Sequence, residues 1–293
     1  MRIFFVCFLL SILVCCKKTS TGVQSITNNN QVKEIKEPLF SIDKLDLGEL
    51  AIKNKIQYIK RYSYGYDNYY YFDYYPNTNK IKTIIYKPSA DPRSCAGGQY
   101  DFFYVNNKID KVEVREPTTA CEILVKSYQF NYFSLGALKS IIEMNSNYYS
   151  DETFFSYNLQ GRIDKIFQNF RNKTEKEYRF NETSFEYDSL GNVAEVNSQP
   201  SYSDKITERT TFIYDSSKNP FKGNFIIRNF VFAFGWNESI GPFFLSTNNV
   251  KQTTKFILEN GAVQTYPYKI VYNNNQLFQY YYFDQFGSTF YYF

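Results

Sequence analysis

A short pattern recurs along most of this chain and leaves little freedom in the choice of fold. An aromatic pair two residues apart precedes a polar turn, and an aliphatic pair three residues apart follows it. The fullest copy holds Phe185 and Tyr187, then Asp188, Gly191 and Asn192, then Val193 and Val196. Phe155/Tyr157 with Gly161 and Ile163/Ile166 repeats it, as does Phe130/Tyr132 with Gly136 and Leu138/Ile141. Phe102/Tyr104 with Ile109/Val112 has a turn one residue shorter, and Tyr74 with Ile81/Ile84 a turn one residue longer. Phe212-Ile213-Tyr214-Asp215 keeps the first half and then diverges at Asn219-Pro220, while Ile270-Val271-Tyr272 starts another copy with Asn273-Asn274-Asn275 as its turn. The tyrosines at 104, 132, 157, 187 and 214 are 28, 25, 30 and 27 residues apart. Such a period is one β-hairpin plus its connection.

Each part of the unit has a physical reason. Strand alternation puts Phe185 and Tyr187 on one face and Glu186 on the other. Gly136, Gly161 and Gly191 supply the positive φ that the turn needs, and Asn can replace them. The aliphatic spacing of three breaks strict alternation, which predicts a bulge or a strong twist. One hairpin cannot bury its apolar face alone, so several must stack side by side. The expected fold is all-β: a meandering antiparallel sheet of repeated β-hairpins, twisted and open to partial closure. No long stretch keeps a helical period.

The motif Tyr187-Asp188-x-x-Gly191-Asn192, with the weaker copy at Tyr214-Asp215, resembles the YD repeats of Rhs-type shell proteins and of many short bacterial lipoproteins. The likeness covers roughly residues 69–214 and 269–293. Most copies lack the Asp: Tyr157 is followed by Asn158, Tyr132 by Phe133 and Tyr104 by Val105. The resemblance implies the strand architecture, and it implies no toxin function.

The chain begins with an address. Arg2 precedes an apolar run from Ile3 to Val14, too short for an ordinary membrane-spanning helix and of the right length for a signal peptide. Leu13-Val14-Cys15-Cys16, followed by Lys17-Lys18, resembles a bacterial lipobox. Cys16 is the expected site of lipid attachment, because Cys15 is small enough for the position before the cleavage acceptor. Residues 1–15 then form the signal peptide, 16–55 the lipidated cysteine and a polar tether, and 56–293 one β-repeat domain with a non-repeat insertion at about 219–264. Within the insertion, Phe225 to Trp236 reads as a core element, a candidate helix packed on the sheet. The remaining two cysteines, Cys95 and Cys121, flank a hairpin whose turn lies near Asn106-Asn107. In an oxidising compartment they are candidates for a disulfide.

Composition narrows the chemistry. The chain has no histidine, which removes histidine-based catalysis and histidine metal sites. A charge of +4 from 33 basic and 29 acidic residues is too balanced for a nucleic-acid binder. No catalytic, cofactor or metal motif is present. Asp188 and Asp215 are expected to bond turn amides. The leading expectation is a non-enzymatic binding or scaffolding lipoprotein of the bacterial outer membrane, on its periplasmic or cell-surface face. It has no cofactor, and its membrane contact is the lipid. Two alternatives stand beside it. The aromatic content of 20% and the final Phe293 suit an integral outer-membrane barrel, and Tyr69-Tyr70-Tyr71-Phe72 or Tyr280-Tyr281-Tyr282-Phe283 suit a glycan-binding platform. Metabolic labelling with palmitate tests the anchor: label is expected on the wild-type chain and not on Cys16→Ala, and label that survives the substitution refutes the assignment.

Overall fold

The segments between the turns are rich in aromatic and β-branched residues, and nearly all of them become strands. A computed structural model of the chain describes residues 23–28, 31–38, 55–63, 66–88, 97–117, 123–144, 149–172, 179–219, 222, 245–273, 276–282 and 286–292. β1 (Val23–Asn28) and β2 (Gln31–Lys36) pair as a separate antiparallel hairpin. The meander then runs through β3 (Ile56–Ser63), β4 (Tyr66–Tyr74), β5 (Ile81–Pro88), β6 (Gly98–Val105), β7 (Lys108–Pro117) and β8 (Ile123–Tyr132). It continues through β9 (Leu138–Glu143), β10 (Tyr149–Tyr157), β11 (Ile163–Asn172), β12 (Arg179–Tyr187) and β13 (Val193–Gln199). β14 (Glu208–Lys218), β15 (Asn248–Ile257), β16 (Ala262–Asn273), β17 (Gln276–Tyr282) and β18 (Phe286–Tyr292) complete it. Each strand pairs antiparallel with the next, and β18 pairs with β3, so the sixteen strands close into a barrel.

The repeat explains the register. In the β10–β11 hairpin, Tyr157 pairs with Ile163 and Phe155 with Ile166, with a register shift between Ser156 and Tyr157. Two residues on one strand oppose three on the other, which defines a bulge. The shift recurs immediately before Tyr74, Tyr104, Tyr132, Tyr187, Tyr214 and Tyr272. An eighth shift lies between Tyr291 and Tyr292, where Tyr292 pairs with Ile56 and Phe290 with Ile59. The closing seam is therefore a copy of the unit, its aromatic half at the end of the domain and its aliphatic half at the start.

A second regularity ties six of the units to the one before. The hydroxyl of Tyr104 donates to the Ile81 carbonyl at 2.8 Å, Tyr132 to Ile109 at 2.7 Å, and Tyr157 to Leu138 at 2.8 Å. Tyr187 donates to Ile163 at 2.7 Å, Tyr214 to Val193 at 2.6 Å, and Tyr74 to Ile56 across the seam unit at 2.9 Å. In each case the acceptor is the first aliphatic residue of the preceding hairpin. Four of these rings also carry a cation from the residue just before that acceptor: Lys55 over Tyr74, Lys80 over Tyr104, Lys108 over Tyr132 and Arg162 over Tyr187, at 5.0–5.4 Å.

The turns follow the sequence chemistry. Gly136, Gly161 and Gly191 have φ of 89°, 75° and 84°. Asn106 and Asn107, at φ 49° and 65°, make the two-residue turn of β6–β7. Asp188 Oδ1 accepts from the amides of Leu190 and Asn192, and Asn158 Oδ1 accepts from Gln160 and Arg162 in the same places. Asn thus does the work of Asp at this position, which is why the Asp is dispensable.

Alternation sorts the two faces of the wall. Phe72, Phe102, Phe130, Phe155, Phe185 and Phe290 point inward with Ile59, Ile84, Val112, Ile141, Ile166 and Val196, and all are buried in one core. The outer face carries ion pairs: Arg115–Asp101 at 2.7 Å, Lys111–Glu113 at 2.7 Å, Lys165–Glu182 at 2.6 Å, Lys60–Asp67 at 2.8 Å and Lys82–Asp73 at 3.3 Å. One exception explains the N-terminal hairpin. Phe154 and Phe167 alternate outward yet are buried, as is Ile35 of β2, which packs against β10. Burying such side chains contributes about 2 kcal/mol each. The Lys36 amide donates to Ser156 Oγ at 3.3 Å, and Glu37 Oε1 accepts from Ser134 Oγ at 2.8 Å.

Two expectations are corrected here. Residues 16–55 are not a polar tether throughout, because Val23–Lys36 form strands and β2 is held on the barrel wall. The polar composition misled, since a two-stranded hairpin needs only one buried residue such as Ile35 to dock. The non-repeat insertion of 219–264 is also shorter, since β15 and the start of β16 lie within it. There Val250 and Thr253 stand in the aliphatic positions opposite Tyr214 and Phe212, and the Thr concealed the motif. Phe225 to Trp236 lies outside the described residues.

Burial raises the phenols of Tyr74, Tyr132 and Tyr214 well above the ordinary range, and pushes Tyr268 and Tyr272 up to about 12. These rings stay protonated in the folded chain after the unfolded chain, with phenols near 10, has begun to lose its protons. The unfolded state then binds fewer protons, so stability is full below about pH 10 and falls as the pH rises toward about 12. Urea midpoints measured from pH 8 to 12 should hold steady to about pH 9 and then drop. A midpoint unchanged at pH 11.5 would contradict buried tyrosine clamps.

Candidate functional site

Tyrosines gather on the outer wall at the closing seam. Tyr58 on β3, Tyr69 and Tyr71 on β4 and Tyr291 on β18 occupy outward alternation positions on three neighbouring strands. Tyr58 stacks on Tyr291 with ring centroids 4.1 Å apart and planes at 12°. Tyr58 lies 5.6 Å from Tyr71 and 6.3 Å from Tyr69, and Tyr69 lies 6.2 Å from Tyr71. The run Tyr69-Tyr70-Tyr71-Phe72 is therefore divided: Tyr69 and Tyr71 belong to the outer surface, and Tyr70 and Phe72 are buried inside.

The surface has polar and charged edges. Lys60 Nζ reaches Asp67 at 2.8 Å and also lies 6.0 Å from the Tyr69 ring. Lys87 Nζ lies 5.4 Å from the Tyr71 ring. Desolvation and the neighbouring Tyr291 raise the Tyr58 phenol, so its hydroxyl stays a neutral donor and acceptor. Tyr71 keeps 39% of its surface exposed. The patch thus offers flat apolar faces, phenolic hydroxyls and two ammonium groups. Such a surface suits ring-on-ring stacking with hydrogen bonds at its rim.

At the end of the barrel away from the turns that follow the anchor tyrosines, the inner wall changes character. Tyr70 and Tyr86 pack at 5.0 Å, and the Tyr86 hydroxyl donates to Asn68 at 3.0 Å. Across the lumen wall, Lys255 pairs with Glu208 at 2.6 Å and Thr253 donates to the Tyr268 hydroxyl at 3.3 Å. These groups satisfy one another. Beneath the N-terminal hairpin, burial raises the Asp164 carboxyl, partly offset by a hydrogen bond from Ser156 and by Lys165 and Lys36. Among the described residues, no group of three or more Cys, Asp or Glu converges on a metal-sized site.

The residues singled out from sequence fare unequally. Asp188 bonds turn amides. Asp215 bonds the Ser217 and Asn249 amides and also receives the Tyr272 hydroxyl, the one anchor tyrosine seen to bond a carboxylate rather than a carbonyl. Tyr69 and Tyr71 reach the surface patch. Cys16, Cys95 and Cys121 lie outside the described residues, and so do the side chains of Tyr280-Tyr281-Tyr282-Phe283. Tyr58 and Tyr291 were not singled out. Only the β18–β3 pairing brings them beside Tyr71, and neither strand announces that pairing locally.

No family model matches the chain, and no curated protein matches it by sequence. Its fold is similar to that of a porin-like protein from Bacteroides vulgatus, with a TM-score of 0.52 and 10% identity over 82% of this chain and 99% of that one. A porin-like protein from Bacteroides uniformis has a TM-score of 0.50 and 12% identity over 80% of this chain and 96% of that one.

Proposed function

We propose that this chain is a lipoprotein of the bacterial outer membrane whose barrel stands outside the bilayer as a non-enzymatic binding module. The carrying observation is the polarity of the wall. A barrel that spans a membrane faces the lipid with apolar residues, and each Lys or Arg placed there costs about 2–4 kcal/mol near the midplane. Here the outer face carries Arg115, Lys111, Lys165 and their acidic partners, while phenylalanines and aliphatic residues form a buried core on the inside. That polarity suits water outside and a solid core within. The lipid on Cys16 then supplies the membrane attachment, and the hairpin unit is read as a YD-type repeat.

The integral barrel is the second reading. The porin-like neighbours favour it by fold, and the ion-paired outer wall counts against it. The mature chain lacking its lipid separates the two. In detergent-free buffer it should elute as a compact β-rich species; a chain that needs detergent, and migrates anomalously unless boiled, would make the spanning barrel the better reading.

The binding surface in this reading is the tyrosine patch, and the ligand class is a saccharide, whose apolar ring faces stack on exposed aromatic rings. Chito-oligosaccharides and soluble peptidoglycan fragments are suitable probes. Binding should shift tyrosine resonances of the patch, and Tyr71→Ala should weaken it by about 3–10-fold, since ring contacts of this kind contribute about 0.5–1.5 kcal/mol. Saturating panels that leave the spectrum unchanged, or full affinity in Tyr71→Ala, would remove the patch from the proposal.

A further inference from the structure

The turns that follow the anchor tyrosines lie together at one end of the barrel. Three successive hairpins, β8–β9, β10–β11 and β12–β13, each expose a leucine at the turn. Leu135 is 59% exposed, Leu159 71% and Leu190 72%. Each turn already has its polar groups satisfied, by the Phe133, Asn158 and Asp188 bonds that close it, so the leucine contributes nothing visible to its own turn. Basic groups stand on the same rim. Lys108 and Arg162 each follow a turn and lie over the anchor tyrosines Tyr132 and Tyr187. The nearby carboxylates are engaged: Asp188 with turn amides and Glu37 with Ser134 and the Leu135 amide.

The chain's entry point supplies an independent constraint. Glu37 fixes the end of β2 to the β8–β9 turn, and Val23 pairs with Lys36, so β1 begins at the same end. Six residues separate Cys16 from Val23. Fully extended, that span reaches about 25 Å at most. A lipid on Cys16 would therefore hold this end next to its membrane. The β10–β11 wall that carries the hairpin lies seven to eight strands from β3, half-way around the sixteen-strand ring.

We propose that the turn end is a second membrane contact, in which Leu135, Leu159 and Leu190 enter the headgroup region of an anionic lipid surface while Lys108 and Arg162 meet its phosphates. Exposed apolar tips beside cations are the composition that peripheral membrane surfaces use, and a single weak contact becomes stable when a lipid chain adds to it. The orientation rests on lipidation at Cys16, whereas the affinity of the turn end for lipid does not.

The test uses the full mature chain with Cys16→Ala and vesicles of phosphatidylcholine with or without about a third phosphatidylglycerol. The chain should sediment with the anionic vesicles and release as salt rises, as expected for screened charges. Replacing the three leucines by serine should weaken sedimentation by about tenfold or more. The leucines are exposed, so an unchanged thermal transition is expected and checks that the variant folds. Hydrogen exchange on the unsubstituted chain gives a second readout: vesicles should slow exchange at residues 134–136, 159–161 and 189–191. No sedimentation with anionic vesicles, or equal sedimentation of the serine variant, overturns the proposal. Mass spectrometry of the native chain reads acylation separately, so failure of the anchor and failure of the lipid-facing surface remain distinguishable.

Discussion

The fold depends on a mismatch of one residue. An aromatic pair two apart faces an aliphatic pair three apart, and the only way to keep both pairs on the inner face is to insert a bulge at the anchor tyrosine. The bulge increases local twist, and eight of them, one per hairpin, bend a sixteen-strand meander far enough to meet itself. The tyrosine hydroxyl then reaches back to the carbonyl of the preceding hairpin. A single bond of this kind contributes about 1 kcal/mol. Made by six of the anchor tyrosines, it links hairpins to their neighbours through a contact that strand pairing alone does not supply. The last link, from Tyr74 to Ile56, belongs to the same series and draws the seam into it.

Closure has consequences for function. It removes free sheet edges, which would otherwise invite other strands to pair. It also builds a surface that exists nowhere in the linear chain, where Tyr291 of the last strand lies over Tyr58 of the first barrel strand. One part of the inner face is apolar and packed, and the groups lining the rest bond one another, so the outer face is left for recognition. That face is divided by position: the tyrosine patch at the seam, the docked hairpin half-way around, and the leucine-tipped turns at one end. In the proposed lipoprotein, the docked hairpin would leave six residues between Cys16 and the fold instead of about forty, so the orientation of the barrel toward its membrane would become a property of the fold.

Much of this was legible in particular residues. The spacing of Ile163 and Ile166 predicts a bulge, and the bulge is at Tyr157. Gly136, Gly161 and Gly191 predict left-handed turn positions and occupy them. Asp188 reads as a turn-bonding carboxylate and is one. Where reading failed, a physical competitor was at work. Thr253 takes an aliphatic position because β-branching, not polarity, suits the strand, and the motif search passed over it. Val23–Lys36 looks like a solvated linker because its docking rests on Ile35 and on Phe154 and Phe167, which alternate outward and would be called exposed.

The sequence by itself determined the local unit: which residues turn, which strands pair across a turn, and which side of each strand is apolar. These are fixed by alternation, by positive φ at glycine and asparagine, and by the two-against-three spacing, all of which act within about thirty residues. Tertiary structure decided what those units add up to. Whether the meander stays open or closes depends on accumulated twist over sixteen strands, and no local signal reports that sum. Once the ring closes, distant residues become neighbours: Tyr58 and Tyr291 at the seam, and Ile35 with Phe154 and Phe167 beneath the hairpin. The surfaces proposed for function arise from those neighbours, because recognition needs several groups within a few ångströms and only the closed barrel brings them there.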